Sequence, residues 1–248
     1  MKKILLLALF VVILSSGIYL SQKRQVLHQS EQPAEYNPTI NPSQFSTKIT
    51  NPFFTLPVGR KFSYQSETPE GLERIELEIM KSDKVIMGVA TVLYRDKVWV
   101  GDELIEDTHD YLAQDAVGNV WYFGEEVNNF KAGQLVDHKG SWIAGEDGAL
   151  PGIWIKATPV VGDSYKQEYY KGKAEDMTDV VAINQTVITQ LATYTDCVKM
   201  YDWSPLEPTA KENKYYCPQP SALVVSEHVG KGDRTELVKA TPKAPNQD

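Results

Sequence analysis

Apolar and polar side chains alternate with a period of two through most of the chain from residue 51 to residue 240. In Arg74-Ile75-Glu76-Leu77-Glu78-Ile79 the three aliphatic residues share one face and the charges share the other. That is the pattern of a strand with one buried side and one wet side. It predicts further strands at 61–67, 84–100, 104–114, 119–124, 152–157, 164–170, 180–190, 195–203, 213–217, 222–229 and 234–239. Val, Ile, Thr, Tyr and Trp dominate these runs, as pleated surfaces prefer. Turn signals punctuate them at Pro69-Glu70-Gly71, Val117-Gly118-Asn119, Glu146-Asp147-Gly148, Pro151-Gly152 and Gly230-Lys231-Gly232-Asp233. Only Ala174-Glu175-Asp176-Met177 hints at a helical turn. Consecutive strands joined by short turns predict an all-β antiparallel meander, curled into a closed or partly open barrel. Laid flat, so many strands would leave long unpaired edges.

The ends of the chain depart from this pattern. Lys2 and Lys3 precede an apolar run over residues 4–14, followed by Ser15, Ser16 and Gly17. A positive start, an apolar stretch and small residues behind it predict a secretory signal. Cleavage after Gly17 would start the mature chain at Ile18. Alternatively, residues 4–20 are an uncleaved anchor in the inner membrane, roughly the shortest helix that spans. Basic residues flank both ends, so charge does not orient the segment. Residues 21–50, rich in Gln, Ser, Asn and Pro, read as a flexible tether, and residues 241–248 as a disordered tail. Between them, 51–240 is long enough for one β domain.

The net charge is −8, or −10 without Lys2 and Lys3. An acidic chain without a basic stripe repels phosphate backbones, which argues against nucleic-acid binding. Cys197 and Cys217 are the two cysteines. In an exported chain an even count predicts a disulfide, and both lie about equally far from a reversal around Glu207, as across a hairpin. Two free buried thiols are the alternative. With no CxxC pair, the cysteines read as a staple, and the folded domain is expected in the periplasm or outside the cell.

Four phrases carry a resemblance. They are Asn51-Pro52-Phe53-Phe54-Thr55-Leu56-Pro57-Val58-Gly59-Arg60-Lys61-Phe62-Ser63-Tyr64, Asp115-Ala116-Val117-Gly118-Asn119-Val120-Trp121-Tyr122-Phe123-Gly124-Glu125, Gln167-Glu168-Tyr169-Tyr170-Lys171-Gly172-Lys173-Ala174-Glu175-Asp176-Met177, and Trp203-Ser204-Pro205-Leu206-Glu207-Pro208 ahead of Lys214-Tyr215-Tyr216. Together they resemble a loose group of uncharacterised bacterial secreted proteins and lipoproteins. Phe62 stands where that group usually has Trp, and Pro220-Ser221-Ala222-Leu223-Val224 replaces a more glycine-rich phrase. The resemblance implies the fold and the compartment, and carries no catalytic residue across.

Motifs for chemistry are sparse. No G-x-S-x-G elbow, H-E-x-x-H pair, P-loop or dinucleotide fingerprint occurs, and His28, His109, His138 and His228 are isolated. Residues 102–147 hold eleven Asp and Glu against only Lys131 and Lys139. Within that stretch Glu106, Asp107 and Asp110 are the candidate ligands for a hard cation such as calcium. Strand alternation, however, would send neighbours to opposite faces, and a solvated acidic surface is the competing reading. Trp121, Tyr122, Trp142, Trp154 and Tyr170 are the candidate ligand-contacting aromatics, with core packing as the alternative for each. Glu168, Glu175 and Asp176 could supply a glycosidase carboxylate pair, or merely charge a turn.

These features point to a non-enzymatic envelope protein. Its β domain would bind a small apolar or amphiphilic ligand or an envelope protein partner. An acidic-site or cation-dependent hydrolase of an envelope glycan and a purely structural module are the alternatives.

Overall fold

The computed structural model describes residues 35–241, and the fold is built from residue 37 onward. The signal or anchor over 1–20, most of the tether and residues 242–248 lie outside the described residues. Among those described, no helix is long and apolar enough to cross a membrane.

After a 3-10 turn at Pro42–Gln44, the strands are β1 (Phe45–Ser46), β2 (Thr50–Asn51), β3 (Phe54–Thr55), β4 (Lys61–Thr68), β5 (Gly71–Ile86), β6 (Val89–Val100), β7 (Glu103–Asp115), β8 (Val120–Lys131), β9 (Gln134–Asp137), β10 (Trp142–Ile143), β11 (Leu150–Ile155), β12 (Ser164–Lys166), β13 (Glu168–Tyr169), β14 (Met177–Ile188), β15 (Thr193–Trp203), β16 (Lys211–Cys217), β17 (Ala222–His228) and β18 (Arg234–Ala240). Thirteen of them form an antiparallel sheet in the order β12-β14-β15-β16-β17-β18-β4-β5-β6-β7-β8-β11-β13. The expected all-β barrel is present, nearly closed, with one seam.

The seam is unusual in its makeup. Its two edges, β12 and β13, are consecutive pieces of one segment, separated only by Gln167. Ser164, Tyr165 and Lys166 pair with β14, whereas Glu168 and Tyr169 pair with β11. One stretch of chain therefore switches neighbours and draws the sheet into a ring. Closure needs a close approach at Gly152, where an added Cβ would lie 2.2 Å from the Gln167 carbonyl oxygen and 2.6 Å from that of Lys166. Gly152→Ala is expected to cost about 1–3 kcal/mol through this clash, read as a lower urea midpoint at unchanged slope.

Three expectations are corrected. Pro151-Gly152 is not a turn but lies inside β11. Residues 84–100 are not one strand, because Met87 and Gly88, both at positive φ, turn the chain between β5 and β6. The hinted helical turn at 174–177 is absent: Ala174 bridges to Tyr170, and Met177 opens β14.

The C-terminal part of the stretch read as a tether is also folded. Phe45 and Ser46 pair with Asp115 and Gln114, and Ile49 is buried. With residues 51–57 this stretch closes one end of the barrel. Asn51 Nδ2 donates to the carbonyls of Gly118 (2.9 Å) and Lys156 (3.2 Å), and the Thr55 amide donates to Ser221 Oγ (3.1 Å). Phe54 is driven inward, stacked on Trp154 at 5.7 Å and edge-on to Tyr216 at 5.7 Å.

Cys197 and Cys217 form the expected disulfide, opposite one another on β15 and β16 with Cα atoms 4.1 Å apart. Closing such a loop contributes about 3 kcal/mol on the chain-entropy account. The tip of the β14–β15 hairpin then reaches past β16 and β17 to β18. There Arg234 Nη2 donates to the Ile188 carbonyl at 2.8 Å, and the Gln190 amide donates to Glu236 Oε2 at 3.0 Å.

Candidate functional site

Strand register sorts the inward side chains into layers. Phe62, Ile79, Val92, Leu112, Val120 and Leu237 pack toward the closed end and are all nearly inaccessible to solvent. Above them Tyr64, Tyr94, Tyr122, Trp154 and Tyr216 form an aromatic floor. Trp154 meets Tyr94 at 5.6 Å and Tyr122 at 5.0 Å, which ties the floor together. The next layer is polar, and it surrounds a cavity of about 390 Å³.

The cavity wall carries an excess of acids. Glu73, Asp96, Glu106, Asp110, Glu125, Glu168, Asp176 and Glu212 line it, against Lys214 and His228. Alternation on β7 places Glu106, Thr108 and Asp110 inward, while Asp107 and His109 face out. Glu125 sits opposite Asp110 in register, and Asp96 opposite Thr108. The Tyr122 hydroxyl donates to Asp110 in the same layer.

Burial and mutual repulsion shift these groups together. Asp96 is pushed up to about 7 by burial and then by the charges of Glu106 and Asp107, against a smaller pull from Lys214. Its Oδ1 is enclosed and has no hydrogen-bond partner. Glu168 is pushed up to about 8 by burial and by Asp176, although a donor on Trp142 opposes the shift. Asp110 rises well above the carboxylate range through burial and the charge of Asp96. Glu125 does so through burial, Asp110 and Glu168. Asp176 is raised by burial.

One corner of the wall is internally neutralised. Lys214 Nζ lies 2.9 Å from Asp202 Oδ2 and 3.4 Å from Glu212 Oε2, and His228 Nε2 lies 2.9 Å from Glu212 Oε1. Burial works to lower the Lys214 pKa, yet Asp202 and Glu212 together hold it well above its ordinary value. Burial also works to raise Glu212, but Lys214 and His228 bring it below its ordinary value. Thr178 Oγ1 completes the corner by donating to Asp202 Oδ1 at 2.6 Å.

The sequence candidates divide between this cavity and other surroundings. Tyr122 and Trp154 line it. Trp142 is buried behind Tyr122, edge-on at 5.2 Å. Trp121 packs on Phe45 and donates to Asp115 at 2.8 Å, and the Tyr170 hydroxyl is bonded by Lys173, so neither reaches the cavity. The trio Glu106, Asp107 and Asp110 does not converge as a calcium site. Asp107 points outward into a pair of bonds from Arg95, at 2.8 and 2.5 Å. Among the described residues no group of three His, Cys, Asp or Glu is placed to hold a metal ion. Glu168 and Asp176 do share the cavity, while Glu175 accepts from the exposed Gly172 amide.

Sequence reasoning missed Asp96, Glu125, Glu212 and Lys214. The available signal was a strand charged on both faces. Arg95-Asp96-Lys97 places charges on both sides of β6, and Glu106 to Asp110 leaves β7 no apolar side over that stretch. In a barrel, such strands need a polar interior.

No protein-family model matches this chain, and no curated protein matches it. Among solved structures it is similar to one titled a "putative lipoprotein" from Parabacteroides distasonis. The identity is 10%, over 76% of this chain and 98% of that one, with a TM-score of 0.38. At that distance the likeness carries nothing about function.

Proposed function

We propose that the protein is an exported envelope protein whose barrel binds a small ligand, without chemistry on it. The observation that carries this is the open-mouthed cavity of about 390 Å³, with an aromatic floor and acidic walls. Concave sites of this size with a few convergent polar groups are the usual form of small-molecule pockets. The charged walls favour a polar or amphiphilic ligand over a wholly apolar one. The disulfide supports an oxidising compartment, and the sequence of residues 1–20 supports export.

A hydrolase reading is favoured by one observation. Glu168, held up to about 8, remains a proton donor at neutral pH beside Asp176. Acid–base catalysis, however, works through groups whose pKa values are driven apart. Here Asp96, Asp110, Glu125, Glu168 and Asp176 all move upward. Glu212 moves down, but its carboxylate is held by Lys214 and His228. Binding is the better fit.

Native mass spectrometry of protein taken from the envelope tests the reading. An added mass that survives gentle desolvation is expected. The bare polypeptide mass, with no compound in a ligand panel raising the melting temperature, would overturn it.

A further inference from the structure

The charge of the cavity specifies the class of ligand, an inference that rests on the binding reading above. Asp96, Glu106, Asp110, Glu125 and Glu168 face one space, and none of the ion pairs found among the described residues reaches any of them. The two cations on the wall are engaged elsewhere: Lys214 with Asp202 and Glu212, and His228 with Glu212. Among the described residues Glu106 accepts from the Thr108 hydroxyl, and Asp110 from the Tyr122 hydroxyl. Asp96 lines the cavity and keeps an enclosed oxygen, Oδ1, that has no hydrogen-bond partner. A buried acceptor without a partner is the kind of group that a ligand satisfies. No three of these acids converge on a point, so a bare metal ion does not answer the need.

Their spacing is extended. Glu106 and Asp110 lie four residues apart on one face of β7, roughly 13 Å along a strand. Asp96, opposite Thr108, falls between them, and Glu125 joins Asp110 at the lower end. Acid positions therefore recur at intervals of roughly 7 Å down the wall, ending at Tyr94, Tyr122 and Trp154. We propose that the cavity takes a linear di- or polyamine, whose ammonium groups meet Glu106, Asp96 and the Asp110–Glu125 pair in turn. Its methylenes lie along the aromatic side chains, which also attract cations through their faces. A single amine would leave most of the acids without a counter-charge. A neutral sugar would bring no positive charge to any of them.

Burial and neighbouring charges push Asp96 up to about 7 and Glu168 up to about 8, so an entering amine displaces protons from these carboxyls near neutral pH. The groups that face Asp96 and set this exchange are Glu106 and Asp110 from β7, Glu125 from β8, Glu168 at the seam, and Lys214 with Glu212 from β16. Asp107, on the outer face of β7, adds a further repulsive charge.

The test uses the whole disulfide-bonded protein at pH 7 with spermidine, 1,4-diaminobutane, butylamine and a neutral disaccharide, followed by melting and calorimetry. Spermidine is expected to bind at least tenfold more tightly than butylamine, with a heat that varies with the buffer's ionisation enthalpy because protons are released. Asp96→Asn should weaken spermidine at least tenfold while the protein still melts cooperatively. Glu106→Gln, a second interior change, should act in the same direction. Polyamines held loosely on the acidic exterior would be indifferent to both variants, and that result overturns the inference. Equal affinity for butylamine and spermidine overturns it as well. Disaccharide binding without an amine response overturns the amine assignment and leaves the pocket reading standing. No binding by any member of the panel, together with a bare native mass, overturns both.

Discussion

The melting temperature of the unliganded protein is expected to rise by about 5–10 °C as the pH is lowered from 8 to 5. The cause lies in the cavity acids. Asp96 and Glu168 have ordinary values of 3.8 and 4.5, which the fold pushes up to about 7 and about 8. Between the ordinary and the raised values the folded chain binds more protons than the unfolded chain, so stability falls as pH rises. The penalty is absent below about pH 4, grows through neutrality, and is complete above about pH 8. Each pKa unit corresponds to about 1.4 kcal/mol. Even a partial contribution from two acids therefore amounts to a few kcal/mol. Groups shifted the other way, including Asp107, Glu126 and Asp163, lose their stabilising effect only as pH falls through the carboxylate range, outside this window. His109, held low chiefly by burial, offsets part of the gain below about pH 6.5. Calorimetric melts at pH 5, 6, 7 and 8 decide the matter. A flat profile, or one that falls on acidification, would show that the fold does not raise the cavity acids as their burial and placement imply.

The second large effect concerns the closed end. Phe54→Ala is expected to cost about 3–5 kcal/mol, as for other fully buried phenylalanines. Phe54 is 1% exposed and touches Tyr94, Trp154 and Tyr216 at ring separations of 5.5 to 5.7 Å. These three partners also form the cavity floor, so truncation leaves a void directly beneath it. Phe53→Ala is the control. Phe53 lies one residue away but is only partly buried, and its loss should cost well under half as much. Urea midpoints at constant slope give both numbers. Similar losses at the two positions would mean that Phe54 does not anchor the closed end.

Why the barrel was legible and its contents were not is clear from particular strands. Ile75, Leu77 and Ile79 against Arg74, Glu76 and Glu78 gave β5 its inner and outer sides directly, and Leu77 and Ile79 are indeed buried. The cysteine pairing followed from compartment and from the reversal between two strands. The break between β5 and β6 stayed hidden because Met87-Gly88 lacks the Asn-Gly or Asp-Gly that usually marks a two-residue turn. Pro151-Gly152 misled in the opposite sense. Its composition suggests a turn, but β11 uses the missing Cβ of Gly152 for contact with Gln167. The cavity acids were obscured by a sound rule, that acids face water. They do so here as well, but the polar space is inside the barrel, and alternation alone does not distinguish an inner wet face from an outer one.

The joint at residues 164–169 has a mechanical meaning. Two paired positions hold it to β11 and three to β14, whereas β5 and β6 share eleven. Cooperative opening of a native fold begins where the fewest contacts must be surrendered. Like a clasp on a bracelet, this short segment can let go while the long hairpins on either side keep their register. Because Glu168 sits in the clasp and also faces the cavity, whatever neutralises the interior also tightens the fastening.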